Sequence, residues 1–409
     1  MHATVTAPIE SGHEMHAHEP RVLVPPRRAY QRSGTRLARR SAALDLFRGL
    51  TMAAMIAVAS IRTFPGVRPV LHHAPWRGTT VVDLGLPFLL FIVGVAAQLS
   101  VDARRAAGQP DIALVRHAAG RSMLLMVVGI IGVTFPNFDP ATITLTGVLQ
   151  RIGITYFIAT LVLMRAGLRA QIVLIATVLI GYWLLLTVVP VPGSGLPGRM
   201  LIDQPAGTLA AWVDRRVLGA HLDPQTLPWD GEGILPTLVS VTTVLCGALA
   251  ARWNRRERRP AQQMVGLFAV GALTAAIGSV WGWTFPVIKG LWTSSYVLVT
   301  AGTAAMALGL CTWFTRMPRG ARWTAPFIAL GLNALLAYAG FYAFDELLAQ
   351  TRVPWSGGPP VPLRDWLFAH LFASWLPSTW ALALWAGVAV GSWLVIARIL
   401  HRRGIVLTV

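Results

Sequence analysis

Long apolar stretches separated by short polar segments dominate the pattern of the chain. A membrane-spanning helix needs about 20 mostly apolar residues, and roughly ten stretches reach that length. We predict spans at 43–62, 79–100, 119–136, 142–164, 170–190, 234–252, 263–284, 294–315, 326–348 and 379–400. The pattern therefore predicts an all-α fold, a polytopic membrane helix bundle of about ten transmembrane helices, with nine and eleven as the limits.

The segments outside the spans set the expected domain boundaries. Residues 361–376 are apolar but short and follow a proline-rich run, so we expect an interfacial or re-entrant piece. Residues 1–40 are polar and lack the apolar core of a signal peptide, which predicts a disordered basic cytoplasmic tail. A single transmembrane domain at 41–403 follows, with an extracytoplasmic loop at 191–233 and a C-terminal tail at 404–409.

Composition and charge agree with membrane insertion. Apolar residues make up 55% of the 409 positions and charged residues only 13%, a balance that is typical of membrane proteins rather than soluble enzymes. The net charge of +18 first suggests nucleic-acid binding, but the arginines cluster in alternate loops, as the positive-inside rule requires. We therefore predict cytoplasmic termini, a multi-pass protein of the cell membrane, and no nucleic-acid partner.

One polar cluster at the outer mouth of the second predicted helix is the candidate catalytic site. His72 and His73 lie in the first outward loop, and Asp83 lies about one turn inside the helix. An aspartate in hydrocarbon is costly and is rarely kept without a use. A neutral histidine beside a carboxylate is a suitable general base. The alternative is an interfacial histidine and a structurally paired aspartate. Pro87, four positions after Asp83, predicts a kink beside the acid.

Other polar residues inside predicted spans mark a path across the bundle. Gln150 and Arg151 fall near the middle of the fourth span, where an arginine must face the interior and find an anion or carbonyl groups. Asp45 and Arg48 share one face of the first helix, so they pair with each other or leave Arg48 for an anionic ligand. Asn333 adds a buried amide. Such a path suits a transporter as well as an enzyme with substrates from opposite sides.

The remaining chemical signals are weaker. Cys246 and Cys311 lie inside predicted spans, where we expect them to pack as small apolar groups. Scattered histidines in the tail lack metal-ligand spacing, so we predict no metal site. The acidic 191–233 loop suits a cap over an outward-facing pocket, and a solvated connector fits it equally. Lys289, the sole lysine, is predicted outside the membrane, just before the eighth span.

A series of motifs extends over residues 40–350. They are RSAALDLFRGLT (40–51), HAPWRG…DL…PF…FIVG (73–94), GVLQRIGITYF (147–157), VPVPG (189–193), DGEGIL (230–235), KGLWTSSY (289–296) and GLNALLAY (331–338). In this order they resemble the heparan-α-glucosaminide N-acetyltransferase family and its bacterial relatives. The resemblance implies a transmembrane acyltransferase that moves an acetyl group from cytoplasmic acetyl-CoA to the amine or hydroxyl of an extracytoplasmic sugar or glycan.

The resemblance also implies roles for single residues. It assigns the catalytic histidine to His73, the second of the pair, and its aspartate partner to Asp83. The family's asparagine near the outer end of the first helix corresponds to Ala59, which cannot donate a hydrogen bond to an oxyanion. Ser60 or Gln150 would have to replace it, or the chemistry differs, or the chain is catalytically impaired.

The predicted function follows from these assignments. The CoA phosphates are expected at cytoplasmic arginines such as Arg48, with the pantetheine arm directed through the bundle toward His73. The candidate substrate or CoA-binding residues are Asp45, Arg48, Gln150, Arg151 and Asn333. The partners are acetyl-CoA as co-substrate, a sugar or glycan acceptor and the lipid bilayer, and a homodimer is left open. The alternative function is a transporter or flippase of a sugar-lipid or acyl substrate, with Asp83 and Arg151 as coupling charges.

Overall fold

The computed structural model describes residues 27–135, 143–222, 228–255, 260–317, 320–355 and 358–406. The chain divides into two units, Met1–Ala38 and Arg39–Val409. The described helices and strands are α1 (Arg27–Ile61), α2 (Gly85–Ala106), α3 (Asp111–Thr134), α4 (Val148–Arg165), α5 (Leu168–Val188), α6 (Gly198–Leu201), α7 (Leu209–Val217), α8 (Ile234–Arg255), α9 (Pro260–Trp281), α10 (Ser294–Phe314), α11 (Gly320–Leu332), α12 (Ala334–Gln350), β1 (Arg352–Trp355), β2 (Gly358–Pro362), α13 (Leu363–Phe368) and α14 (Ser378–Arg402).

The prediction of a polytopic all-α membrane protein is confirmed. Within the described residues, nine helices are long and apolar enough to cross a membrane, and they coincide with nine of the ten predicted spans. The tenth, 326–348, is wrong as a single straight helix, because Trp323–Leu332 and Ala334–Gln350 meet at 80°. The break falls at Asn333, whose φ of −114° and ψ of 32° are not helical. Counted as one bent span, the pair brings the number to ten.

Helix α4 begins later than predicted. The segment 143–147 is not helical, and Gly147 has a φ of 155° and a ψ of 171°, which only glycine adopts readily. Gln150 and Arg151 therefore lie in the first turn of α4, and the prediction that they fall near the middle of the fourth span is wrong. Their side chains are placed at the same end of the bundle as the loop that carries His73.

Helix α2 also begins later than predicted. A 3₁₀ turn (Val82–Leu84) precedes it, so Asp83 is in that turn and not inside the α-helix. Pro87 is then the third residue of α2, where a backbone N–H has no intrahelical acceptor to lose. The prediction that Pro87 lies inside the helix is therefore wrong, and the argument for a kink there no longer applies.

The predictions for residues 1–40 and for residues 361–376 have different outcomes. Helix α1 begins at Arg27, so residues 27–40, which we assigned to the tail, are helical, while residues 1–26 lie outside the described part. The 361–376 stretch forms the end of β2, α13 and a π-helical turn (Ala369–Ala373). None of these pieces is long enough to span a membrane.

Glycines let the inner helices approach closely. The spans of α1, α2, α4, α8 and α10 are more than half buried, whereas those of α3, α5, α9 and α14 expose most of their surface. A Cβ on Gly94 of α2 would lie 1.8 Å from the carbonyl oxygen of Val244 in α8, and one on Gly247 would lie 2.0 Å from that of Phe91. Apolar helices gain little hydrophobic free energy by associating within a bilayer. The close van der Waals packing that small residues allow at such crossings stabilises the association instead.

This crossing makes a prediction about stability. We expect Gly94→Ala to lower the midpoint of thermal unfolding in detergent, because the added methyl group overpacks the α2–α8 contact at a cost of about 1–3 kcal/mol. Gly181→Ala in α5 is the matched control, since nothing lies within 4 Å of its Cβ position. Equal midpoints for the two variants would contradict the described packing.

Candidate functional site

Loops far apart in sequence meet at the end of the bundle that carries His73, which we call the His73 end. Backbone bridges join Arg77 and Gly78 to Ile288, and the indole N–H of Trp76 donates to the carbonyl of Ile202 at 2.8 Å. Gly78 has a φ of 91°, a backbone conformation that favours glycine. The HAPWRG motif is therefore held against the loop that contains the KGLWTSSY motif.

A histidine–aspartate pair lies at the centre of this end. His73 Nδ1 is 2.7 Å from Asp83 Oδ1, so the spacing in sequence is closed into a direct contact. The other carboxylate oxygen accepts the backbone N–H groups of Ala74 at 3.1 Å and Thr80 at 2.9 Å. The Tyr296 hydroxyl donates to the Asp83 carbonyl at 2.6 Å. The Asp83 side chain is 1% exposed and that of His73 is 60% exposed, so the acid is buried beneath an accessible imidazole.

Lys289 completes the cluster, and the sequence analysis did not place it there. Its Nζ is 3.0 Å from His73 Nδ1 and 3.4 Å from Asp83 Oδ1. Because a carboxylate can only accept, we assign the imidazole proton to Nδ1, which donates to Asp83. The ammonium of Lys289 then donates to the same carboxylate, and its approach to Nδ1 joins two donors and is not a hydrogen bond. Burial lowers the pKa of Lys289, and the charges of Asp83 and Glu232 oppose that shift.

This arrangement leaves one ring nitrogen of His73 for chemistry. No hydrogen bond from the described residues reaches Nε2, and His73 lines a large cavity. With Nδ1 carrying the proton, Nε2 has a free lone pair that can accept a proton from a ligand. Asp83 then fixes the tautomer and would stabilise the imidazolium as it forms.

Burial and hydrogen bonds stabilise the turn that carries Lys289. Trp292 is fully buried with a φ of 50°, an uncommon conformation for a residue with a side chain. Its N–H donates to the Lys289 carbonyl at 2.9 Å, and the Ile288 N–H donates to Thr293 Oγ1 at 3.1 Å. The guanidinium of Arg151 lies 4.7 Å from the centre of the Trp292 ring, as a cation–π contact requires.

Arg151 finds the anion and carbonyl that the sequence analysis required. Its side chain is 1% exposed, its Nε is 2.9 Å from Glu232 Oε2, and its Nη2 donates to the Gly231 carbonyl at 2.8 Å. Glu232 lines the same cavity as His73, and burial raises its pKa above the ordinary value. Arg151 itself does not line that cavity. It acts on the site by fixing Glu232.

The cavity at His73 has a volume of about 930 Å³, and Ala59, where the resemblance predicted an asparagine, lines it. Neither residue that we named as a replacement reaches it. The Ser60 hydroxyl donates to the Ala57 carbonyl at 2.8 Å, and Gln150 is buried beside α3, with its amide donating to the Thr146 carbonyl. The cavity-lining donor nearest to His73 is instead Lys289.

A second cavity of about 280 Å³ borders the first. Arg48 and Arg121 line it, and Val148 and Tyr338 line both cavities. Arg48 Nη1 is 3.4 Å from both Asp45 Oδ1 and the Gly331 carbonyl, so the predicted pairing with Asp45 is formed but long. Asn333 is buried at the α11–α12 break, beside residues 332 and 334 of this cavity's lining.

Most of the described carboxylates in the 191–233 loop are used within the protein. Asp203 forms an ion pair with Arg77, and Asp230 accepts the Glu232 N–H at 2.7 Å. Asp214 is 1% exposed and accepts the Ile234 N–H at 2.8 Å. Among the described residues of this acidic run, Glu232 is the one that lines the His73 cavity. The expected acidic cap is therefore reduced to a single carboxylate at the site.

The fold and the site define a class of protein: a multi-pass helical membrane protein with a buried aspartate, an accessible histidine and a lysine at the mouth of a two-part cavity. Two curated proteins are similar to the chain. Both are heparan-alpha-glucosaminide N-acetyltransferases, that of Homo sapiens at 29% identity over 355 residues (74% of this chain, 53% of the relative) and that of Mus musculus at 28% over 361 residues (76% and 54%).

These similarities confirm the predicted resemblance. The chain is a distant relative of the heparan-alpha-glucosaminide N-acetyltransferases. It spans about half the length of the curated relatives that it matches. No family model matches the chain.

Asp214 makes a prediction about pH. Burial raises the pKa of Asp214 to about 6, and the charge of Asp230 adds to the shift. The folded state then holds this proton more tightly than the unfolded state, so the contribution to stability is present below about pH 4 and is lost as the pH rises through 6. We expect Asp214→Asn, which keeps the acceptor for Ile234, to gain stability relative to the wild type between pH 4 and pH 7.

The measurement is the difference in thermal midpoint between variant and wild type across that range. Asp111→Asn, which changes a carboxylate that is 55% exposed, is the control and should show no such trend. A difference for Asp214→Asn that stays constant with pH would contradict the assignment.

Proposed function

We propose that the protein is a membrane-integral acyltransferase that moves an acetyl group from acetyl-CoA to the amine or hydroxyl of a sugar or glycan. The observation that carries the proposal is the His73–Asp83 pair, with its free imidazole nitrogen, in a cavity that shares Val148 and Tyr338 with an arginine-lined cavity. The distribution of arginines supports a cytoplasmic donor and an extracytoplasmic acceptor.

The arginine-lined cavity fits the donor. Arg48 and Arg121 offer two guanidinium groups for the phosphates of CoA, a role for which arginine geometry is well suited. Beyond them the lining is apolar, and a volume of about 280 Å³ suits a thin chain such as pantetheine rather than a bulky ligand. The thioester would then lie where Val148 and Tyr338 face both cavities.

The chemistry follows from the free nitrogen of His73. Nε2 accepts the proton of the acceptor amine or hydroxyl while that group attacks the thioester carbonyl. A C–N or C–O bond forms, the C–S bond breaks, and the imidazolium returns its proton to the leaving thiolate. Transfer through an acetylated His73 would use the same nitrogen and is the alternative route.

Charges around His73 support this assignment. Asp83 stabilises the imidazolium, and the ammonium of Lys289 lines the same cavity, where it offers a donor that Ala59 cannot provide. Glu232 supplies a carboxylate for a cationic amino sugar. Lys289 therefore supplies a hydrogen-bond donor to the site although Ala59 does not. The experiment must still distinguish an active enzyme from a catalytically impaired member.

The proposed general base makes a prediction about His73. We expect His73→Ala to lower the transfer of labelled acetyl from acetyl-CoA to glucosamine by at least about 10²–10⁴-fold, since that is the usual contribution of a general base. His72→Ala is the matched control, because this neighbour lines the cavity without contacting Asp83, and it should retain most of the activity.

Three results would contradict the proposal in different ways. Normal transfer by His73→Ala would remove the assignment of the base. Acetyl-CoA binding without turnover by the wild type would indicate an impaired member. Uptake that requires sealed vesicles, with no transfer in detergent, would indicate a transporter.

The proposed acetyl-CoA site makes a prediction about Arg48 and Arg121. We expect Arg48→Gln and Arg121→Gln each to raise the KM for acetyl-CoA about tenfold or more, with a smaller effect on kcat, because a hydrogen bond to a charged group contributes about 1.5–3 kcal/mol. Arg169→Gln at the start of α5, outside both cavities, should leave KM unchanged. A fall in kcat alone would indicate that these arginines support the fold and do not bind the donor.

A further inference from the structure

The His73 cavity is polar at one end and apolar along the rest of its length. Its charged and imidazole side chains lie at the His73 end, where Arg62, His72, His73, Glu232 and Lys289 line it, and Tyr338 and Tyr342 join the lining from α12. The remainder runs between α1 and α10 and includes Phe47, Leu50, Ala54, Val58, Leu310 and Phe314. We call this part the α1–α10 groove. A ligand that matches it needs a polar head and an apolar chain.

The α1–α10 groove opens sideways toward the membrane. Leu50, Leu310 and Phe314 are 40%, 42% and 44% exposed, although they lie within segments that span the membrane. Residues 47–58 of α1 extend over about 17 Å at 1.5 Å per residue, which is the scale of a lipid chain. A molecule that diffuses in the bilayer can therefore enter the groove without crossing the aqueous phase.

Arg62 supplies the charge that a lipid-linked head group would need. It follows the last turn of α1, lines the His73 cavity and is exposed. In the part of the chain that the structure describes, its guanidinium has no hydrogen bond or ion pair. A phosphate between a lipid chain and a sugar would pair with this guanidinium, which lines the same cavity as the imidazole of His73.

The donor does not compete for this groove. Arg48 and Met52 on α1 line the arginine cavity, whereas Leu50, Ala54 and Val58 line the groove. The period of the helix sends these two sets to different faces. The two cavities approach each other at Val148 and Tyr338, so the groove is left for the second substrate.

We propose that the acceptor is a lipid-linked amino sugar, whose apolar chain lies in the α1–α10 groove, whose phosphate contacts Arg62 and whose amine reaches Nε2 of His73. This proposal rests on the proposed function for the identity of the reaction. It adds the class of acceptor and the direction from which that acceptor arrives.

The test compares three acceptors with the full-length protein in lipid nanodiscs: glucosamine, dodecyl glucosaminide and a prenyl-phosphate-linked glucosamine. We expect kcat/KM to rise at least tenfold from glucosamine to dodecyl glucosaminide and to rise again for the phosphate-linked acceptor. Arg62→Gln should remove the second increase and leave the first. Equal kcat/KM values for glucosamine and both anchored acceptors would overturn the proposal.

A groove variant separates binding from partitioning into the bilayer. Ala54→Phe places a ring in the exposed groove, and Ala176→Phe places the same ring on the exposed surface of α5. Both variants experience the same partitioning of acceptor into the nanodisc. We expect Ala54→Phe to lower the ratio of kcat/KM for dodecyl glucosaminide over glucosamine at least fivefold, with the ratio unchanged in Ala176→Phe. Equal ratios in the two variants would overturn the proposal.

A readout without catalysis keeps the two proposals distinguishable. Dodecyl glucosaminide with a diazirine at the chain terminus is photo-crosslinked to the wild type, and the labelled peptides are mapped. Labelling concentrated in residues 47–58 and 307–314 supports the groove even if no transfer is detected, in which case the proposed function alone fails. Labelling spread over the exposed faces of α5, α9 and α14 would overturn the groove.

Discussion

The burial of the Asp83 carboxylate is the constraint on which the His73 end depends. A carboxylate that is 1% exposed costs many kcal/mol unless charges and donors surround it. Backbone N–H groups from Ala74 and Thr80, the imidazole of His73 and the ammonium of Lys289 meet that requirement. These groups come from two loops that are more than 200 positions apart in the chain. The loops must therefore dock before the acid is satisfied, and His73 is positioned by the same contacts.

The sequence predicts the parts of this molecule that follow from the bilayer, and it misses those that follow from tertiary contact. Apolar length located nine spans because hydrocarbon thickness requires it. It could not reveal the break at Asn333, where apolar residues continue on both sides, nor the late start of α4 at Gly147, whose backbone conformation leaves no trace in hydropathy. Lys289 was visible as the sole lysine, but its contact with His73 depends on the docking of two distant loops.

Helix α1 separates the two cavities. Arg48 faces a narrow space with a second arginine, and Ala54 faces a wide groove that opens to lipid. Because the helix period sets which residues share a face, the separation is encoded in a few consecutive turns. Ala59 lies on the groove side and offers no side-chain hydrogen bond to the cavity. A side-chain donor in contact with His73 comes instead from the loop that carries Lys289.

The break at Asn333 bears on how the membrane stays sealed. Helix α11 is fixed to α1, since a Cβ on Gly331 would lie 1.9 Å from the Asp45 carbonyl oxygen, whereas α12 leaves at 80° and carries Tyr338, which lines both cavities. Any rotation about this joint would move Tyr338 without disturbing the α1–α11 contact. The barrier between the two cavities would then depend on Val148 and on the Tyr338 ring, whose position follows the joint, so the sealing of the membrane would follow the joint as well.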